Sequence, residues 1–174
     1  QKVEVSIQRL TDDKYWGGSA FDQTSEAFVT ASGTTAWSVS LADSHLADGV
    51  GYTVHARAAD AAGNVEVGAT VTFTCDLTAP VVTVNNLATS DTTPTVAGTV
   101  SDGTLQVVVN GKTYTAGDGN LIRTGTTWTL QIPDGNALTP GTYNVAAAAT
   151  DTAGNTGADG TTDELVIQRL MVTA

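Results

Sequence analysis

Two short loops carry the residues of this chain that are best suited to bind a ligand. Residues 60–64 and 151–155 share the pattern Asp-x-Ala-Gly-Asn, which sets a carboxylate and an amide four positions apart. Hard oxygen ligands of this kind are what Ca²⁺ prefers. The same residues also close tight turns by bonding to their own backbone, with the glycine at positive φ. The pattern therefore indicates either a calcium loop or a turn that needs no metal.

The elements around these loops decide which other oxygens come near them. Asp60 and Asp151 each end an alternating strand, and the next strand returns the chain to the same end of the fold at Asp76. Asp102 follows a strand of the second half and faces the same boundary. We predict a calcium site between the domains, formed by Asp60, Asn64, Asp76 and Asp102. A second candidate, Asp151 and Asn155, has no linker aspartate after it.

The loops belong to an internal duplication. Residues 52–64 read YTVHARAADAAGN and residues 143–155 read YNVAAAATDTAGN, a constant offset of 91 positions. Upstream, WSVSL at 37–41 and WTLQI at 128–132 keep the same offset. A repeat of this kind is the signature of tandem structural units.

Both copies have the pattern of antiparallel strands. Apolar residues alternate through the repeated segments, and turn signals such as Asn110-Gly111 separate the runs. About seven short strands in ~90 residues, without an amphipathic helix, predict an all-β fold of two tandem immunoglobulin-like sandwiches. The expected domains are residues 1–76 and 77–168, followed by a tail at 169–174. Pro80 makes the connection between them short and stiff.

Composition excludes several classes of function. The chain carries 7 Lys and Arg against 18 Asp and Glu, a net charge of −11, which would repel nucleic acid. No apolar run approaches the ~18 residues of a membrane span. His45 and His55 lie in no metal or catalytic motif, and Cys75 is the single cysteine. We expect no enzymatic activity.

Several segments resemble the bacterial immunoglobulin-like repeats of giant surface adhesins, including the RTX type. They are Asp-x-Thr-Ala-Pro at 76–80, the two Asp-x-Ala-Gly-Asn loops, GNLIRTGTTWTLQIPDGNALTPGTY at 119–143 and TTDEL at 161–165. The resemblance implies a secreted or cell-surface spacer module whose neighbours are further repeats of the same protein. It also implies that calcium at the junctions stiffens the rod.

The first copy departs from this pattern at its start. It begins at the segment equivalent to the third strand of the second copy, so two strands are absent. Three interpretations follow: missing residues, a shorter variant, or strands supplied by a neighbouring molecule. The apolar tail RLMVTA at 169–174 would suit such strand complementation in a head-to-tail filament.

The first copy also has an aromatic insertion containing Tyr15, Trp16 and Phe21. These rings would stack on a surface glycan or a partner protein if they were exposed. Alternatively, they cover the open flank of the incomplete sandwich. The first interpretation makes the chain a ligand-binding module, and the second makes it a structural module. A third possible function is that of an accessory repeat beside the catalytic domain of a secreted hydrolase.

Overall fold

A computed structural model of the chain describes residues 1–66 and 68–169. The fold is almost entirely β, which confirms the predicted all-β sandwich class. Two compact units are present, Gln1–Leu77 and Thr78–Ala174. Their division falls one residue after the boundary expected from the sequence. Of the expected tail, all residues after Arg169 lie outside the described part of the chain.

The first unit is built on a single sheet. Its order is β3-β2-β1-β5-β6, and β4 pairs with β1 on the same edge as β2, opposite β5. A single 3₁₀ turn covers Asp43–His45. The strands are β1 Lys2–Arg9, β2 Lys14–Trp16, β3 Phe21–Gln23, β4 Val29–Thr30, β5 Gly51–Ala59 and β6 Thr70–Thr74.

The second unit folds into three sheets around one core. Their orders are β11-β10-β15-β16, β12-β13-β9-β7 and β14-β17-β8, and buried residues from all three form a single apolar cluster. A 3₁₀ turn covers Asp134–Asn136. The strands are β7 Val82–Val84, β8 Leu87–Thr89, β9 Thr95–Val100, β10 Thr104–Val109, β11 Lys112–Thr115, β12 Leu121–Thr124, β13 Thr127–Gln131, β14 Gly141–Tyr143, β15 Val145–Thr150, β16 Thr156–Ala158 and β17 Leu165–Ile167.

Local sequence explains why these strands pair as they do. The buried positions of β10 and β15 alternate with exposed ones, so each strand turns one apolar row towards the core. At the predicted hairpin, Asn110 and Gly111 have φ values of 48° and 72°, and β10 pairs with β11 on either side. A two-residue turn with positive φ at both positions matches the twist of the strands it joins.

Each unit also fixes the start of its repeated strand with a tyrosine hydroxyl. The backbone N–H of Ala47 donates to the Tyr52 hydroxyl over 2.9 Å, and the Tyr143 hydroxyl donates to the Thr139 carbonyl over 2.8 Å. Both bonds reach back a few residues along the chain, as in the tyrosine corner of β-sandwiches.

The repeated tryptophans show how the two units differ. Trp128 lies on β13, which pairs with β9 along its whole length, and its side chain is 1% exposed. Trp37 is 42% exposed, and its segment forms only an isolated bridge from Ser38 to Ser32. The alternating pattern of residues 37–41 predicts a strand equivalent to β13, and this prediction is wrong; Trp37 lies at the surface instead of in a core. The described part of the first unit has no counterpart of β9 to pair with that segment.

The repeated strand shows the same difference in burial. On β15 the inward residues Val145, Ala147 and Ala149 are buried. Their equivalents on β5, 91 positions earlier, are each only half-buried: Val54, Ala56 and Ala58. The sheet of the first unit therefore has a core-type face that its own described residues cover only in part.

A matched pair of substitutions measures this difference. Trp128→Ala should lower the free energy of unfolding of the second unit by about 3–5 kcal/mol, because it empties a packed core site. Trp37→Ala should lower that of the first unit by less than about 1 kcal/mol, because much of the ring already contacts water. Urea titration followed through amide resonances of each unit gives both values. Equal losses would contradict this assignment of core and surface.

Candidate functional site

The two Asp-x-Ala-Gly-Asn loops are the same hydrogen-bonded structure in both units. In the first, the Asp60 carboxylate accepts bonds from the Asn64 backbone N–H at 2.9 Å and the Asn64 side-chain amide at 2.7 Å. In the second, Asp151 accepts the same two bonds from Asn155 at 2.8 and 2.9 Å. The aspartate backbone N–H donates to the asparagine carbonyl at 3.0 Å in each loop. The repeat is therefore conserved at the level of individual atoms.

A glycine makes this closure possible. Gly63 has φ = 89° and Gly154 has φ = 97°, a region that other residues enter at a steric penalty. Both glycine N–H groups donate to the carbonyl of the aspartate that opens the loop, over 3.2 and 3.3 Å. The chain reverses here, and in the second unit β16 then pairs with β15.

The hydrogen bonds also change the acidity of the two carboxyl groups. The asparagine side-chain amide is the main cause that lowers the pKa of both Asp60 and Asp151, and backbone N–H groups of the loop add to it. Each donor favours the ionised carboxylate over the protonated form. The loops are thus held closed by a charge-assisted interaction that acts entirely within five residues.

This arrangement bears on the predicted calcium ligands. A carboxylate offers about four lone-pair sites, and Asp60 already accepts from Ala62, from the Asn64 backbone and from the Asn64 amide. Its turn closes without a metal. Asp102 likewise accepts from the N–H of Gly103, over 2.6 Å.

The predicted ligands divide between the two units. Asp60, Asn64 and Asp76 belong to the first, and Asp102, Asp151 and Asn155 belong to the second. Within residues 1–66 and 68–169, no three His, Cys, Asp or Glu side chains gather closely enough to hold a metal ion. The calcium site between domains stays a prediction.

The aromatic insertion folds back onto the core of the first unit. Trp16 and Phe21 are buried, with ring centroids 5.3 Å apart, and Phe21 lies 5.5 Å from the ring of Tyr52. Tyr15 is half-buried on β2. The Trp16 and Phe21 rings both belong to the apolar cluster of the first unit. A ligand-contact role of the insertion stays a prediction.

Glu164 is a buried group that sequence reasoning missed. Its Oε2 accepts the backbone N–H of Val145 at 2.9 Å, where the chain passes from β14 to β15 and so changes sheets. Among the described side chains, its Oε1 is buried without a hydrogen-bond partner. The signal was present in the sequence, as an acidic residue placed directly before the apolar run of β17. In the structure, the Glu164 side chain accepts a hydrogen bond from the backbone N–H at the point where the chain changes sheets.

An open groove lies beside Trp37 in the first unit. Its volume is about 300 Å³, and its apolar lining includes Val3, Trp37, Ala56 and Ala69. Arg57 and Glu66 also line it, so the groove is partly charged. The groove lies beside the half-buried residues Ala56 and Ala58 of β5.

Comparison with known proteins identifies no relative of this chain. No protein-family model matches the chain, and no curated protein is significantly similar to it. In the described ranges, no helix has the length and apolar character needed to cross a bilayer.

The lowered pKa of Asp151 predicts a specific acid sensitivity. An unfolded aspartate titrates near 3.8. Because the folded value is lower, the loop contributes its full stability above that pH and loses it as the pH falls through the folded pKa. Asp151→Asn should lower the Tm by several degrees at neutral pH. The Tm difference between wild type and variant should then shrink as the pH falls below 3.8 and through the lower folded pKa.

The matched control is Asp134→Asn, at an exposed aspartate in the second 3₁₀ turn. It should follow the wild-type melting temperature across the same pH range. If the Tm difference between wild type and Asp151→Asn stays constant with pH, the carboxylate charge contributes nothing to closure of the loop.

Proposed function

We propose that the chain is a non-catalytic, tension-bearing repeat module of a bacterial extracellular surface protein. It would act as a stiff spacer between further repeats of the same kind. The resemblance to surface-adhesin repeats motivates the assignment, and the atom-for-atom repetition of the Asp-Asn loops supports it. A net charge of −11 suits a protein kept soluble at high local density.

The observation that carries the proposal is a parallel strand pair in the second unit. β8, near the start of the unit, pairs in parallel with β17, near its end, through the partners Leu87–Leu165, Ala88–Val166 and Thr89–Ile167. Two bonds flank this ladder: Leu87 N–H to Glu164 O, and Gln168 N–H to Thr89 O, both 2.7 Å.

The parallel pairing determines how a force that pulls on the two ends of the unit acts on β8 and β17. Pulling the ends of the unit apart draws β8 towards its own N-terminus and β17 towards its C-terminus. Two parallel neighbours are then dragged past each other, so all their hydrogen bonds resist together rather than opening one by one. The buried side chains of Leu165 and Ile167 must leave the core in the same step. Resistance to stretching is the property that a spacer under tension requires.

Single-molecule stretching of the full chain tests this function. The second unit should unfold at clearly higher force than the first, in which β6 is the last strand of the sheet order and no described strand corresponds to β8. Leu87→Pro should remove much of the difference, because proline cannot donate the bond to Glu164.

Two control variants separate the hydrogen bond from side effects. Leu87→Ala keeps the N–H and loses only a partly buried side chain, so it should retain most of the unfolding force. Ala88→Pro removes an N–H on the side of β8 that faces away from β17, by strand alternation. If all three variants unfold at the same force as wild type, the strand pair does not bear the tension.

Calcium belongs to the proposal as a second source of stiffness. Binding at the Asp60, Asn64, Asp76 and Asp102 group, or at Asp151 and Asn155, would raise the Tm in millimolar Ca²⁺. EDTA would reverse the increase. Asp60→Ala would then abolish the part of the Tm increase that comes from calcium bound to the first unit. A Tm that neither calcium nor EDTA changes would leave the loops as metal-free turns and remove calcium from the proposal.

A further inference from the structure

Glu164 lies at the N-terminal end of the β8–β17 strand pair and is hydrogen-bonded on two sides. Its backbone carbonyl accepts the N–H of Leu87 on β8 over 2.7 Å. Its side-chain Oε2 accepts the N–H of Val145, the first residue of β15, over 2.9 Å. One residue therefore connects the parallel pair with the start of a strand that belongs to another sheet.

The carboxyl group of Glu164 is enclosed by the fold. The residue is 2% exposed, and the next residue, Leu165, is 0% exposed. Among the described side chains, the Glu164 Oε1 is buried without a hydrogen-bond partner. Removing a carboxyl group from water is costly, and a single hydrogen bond offsets only part of that cost. The site is therefore poorly suited to raise equilibrium stability, and the physical consequence of the side chain lies in where its bond is placed.

Both bonds of Glu164 lie across the displacement that tension produces. When the unit is pulled at its ends, β8 moves towards its N-terminus and β17 moves towards its C-terminus. Because β17 runs antiparallel to β14, Glu164 then slides away from Val145 and towards Tyr143. In the same movement it slides past Leu87 on the parallel strand β8. A hydrogen bond tolerates little change in distance or angle, so a shift of one residue along the strand breaks both bonds.

We propose that the Glu164 side chain is the lock of the second unit under tension, the group that makes the β8–β17 pair and the contact with β15 break in one step. This inference rests on the tension-bearing function proposed above and assigns a large part of its resistance to one carboxyl group. Without the Oε2 bond, β17 can begin to slide before β15 is disturbed, and the barrier to sliding is lower.

Unfolding of the full chain at constant force, pulled at its two ends, tests the proposal. Glu164→Leu has a similar volume and no acceptor. It should raise the unfolding rate of the second unit by about tenfold or more, because a hydrogen bond that breaks at the barrier is missing from the start. Glu164→Gln is the matched control. Its amide oxygen still accepts the Val145 N–H, so its unfolding rate should stay within about threefold of wild type.

A change of pulling direction separates this role from a general loss of stability. Handles at Asp91 and Gln168, both exposed and both just beyond the C-terminal ends of β8 and β17, pull the strand pair open from that end. The bond from the Gln168 N–H to the Thr89 carbonyl then opens first, while the Glu164 bonds are still intact at the barrier. Interactions that survive at the transition state leave the unfolding rate unchanged. Glu164→Leu should therefore alter this second rate by less than about threefold.

The handles are attached through Asp91→Cys and Gln168→Cys in a Cys75→Ser background. Circular dichroism and the Tm of each variant show whether it is folded. If Glu164→Leu does not fold, Glu164→Asp carries the test. Its side chain keeps the carboxyl group but is one methylene shorter, so it should lose the reach to Val145 and also unfold faster when the chain is pulled at its ends.

The outcomes distinguish this proposal from the function on which it rests. If the wild-type second unit resists no more force than the first, both fail. If the wild type is resistant and the folded Glu164 variants unfold at its rate, the tension-bearing function stands and the role of Glu164 is overturned. Equal acceleration by Glu164→Leu in both pulling directions would assign the residue to general stability and would also overturn its role as a lock.

Discussion

The packing of Trp128 against the bare backbone of Gly98 is the contact on which the second unit depends. It joins β13 and β9 within one sheet while the indole fills the space between sheets, and its Nε1–H donates to the Thr99 carbonyl at 3.2 Å. Val96, Val100 and Leu130 are buried around it. A sheet gains stability when one face is removed from water, and the Trp128 indole belongs to the apolar cluster that covers this face.

The first unit shows what the same sequence elements do when that contact is missing. Its tryptophan and repeated strand are present, yet the tryptophan segment does not form a strand and the inward row of β5 stays half-buried. Part of the loss is offset by the insertion, since Phe21 packs on Tyr52 and Trp16 packs on Phe21. Over the described residues, eight buried side chains form its core, against seventeen in the second unit. The smaller core follows from absent neighbours, not from weaker strands.

This contrast explains which features the sequence could predict. The Asp60 and Asp151 loops and the turn at Asn110 were predictable because every bond that defines them lies within a few residues. The segment at Trp37 was predicted wrongly to be a strand. An alternating pattern shows only that a segment is able to form a strand, and the strand forms only if a partner distant in sequence pairs with it. Burial of Phe21 is also set at long range, by Tyr52, and Trp16 packs on Phe21 and on the distant His45. Glu164 was missed because its partner, the Val145 N–H, becomes available only where the chain changes sheets.

The other edges of the described sheets are protected in ways that the edge strand β6 is not. Edge strands β3, β7, β8 and β16 are three residues long, which limits the row of free backbone groups that they offer. The longer edges β11 and β12 each carry a cation, Lys112 and Arg123. Both devices discourage strand addition. β6 has five residues and neither device, and it stands where the duplicated unit has a parallel partner.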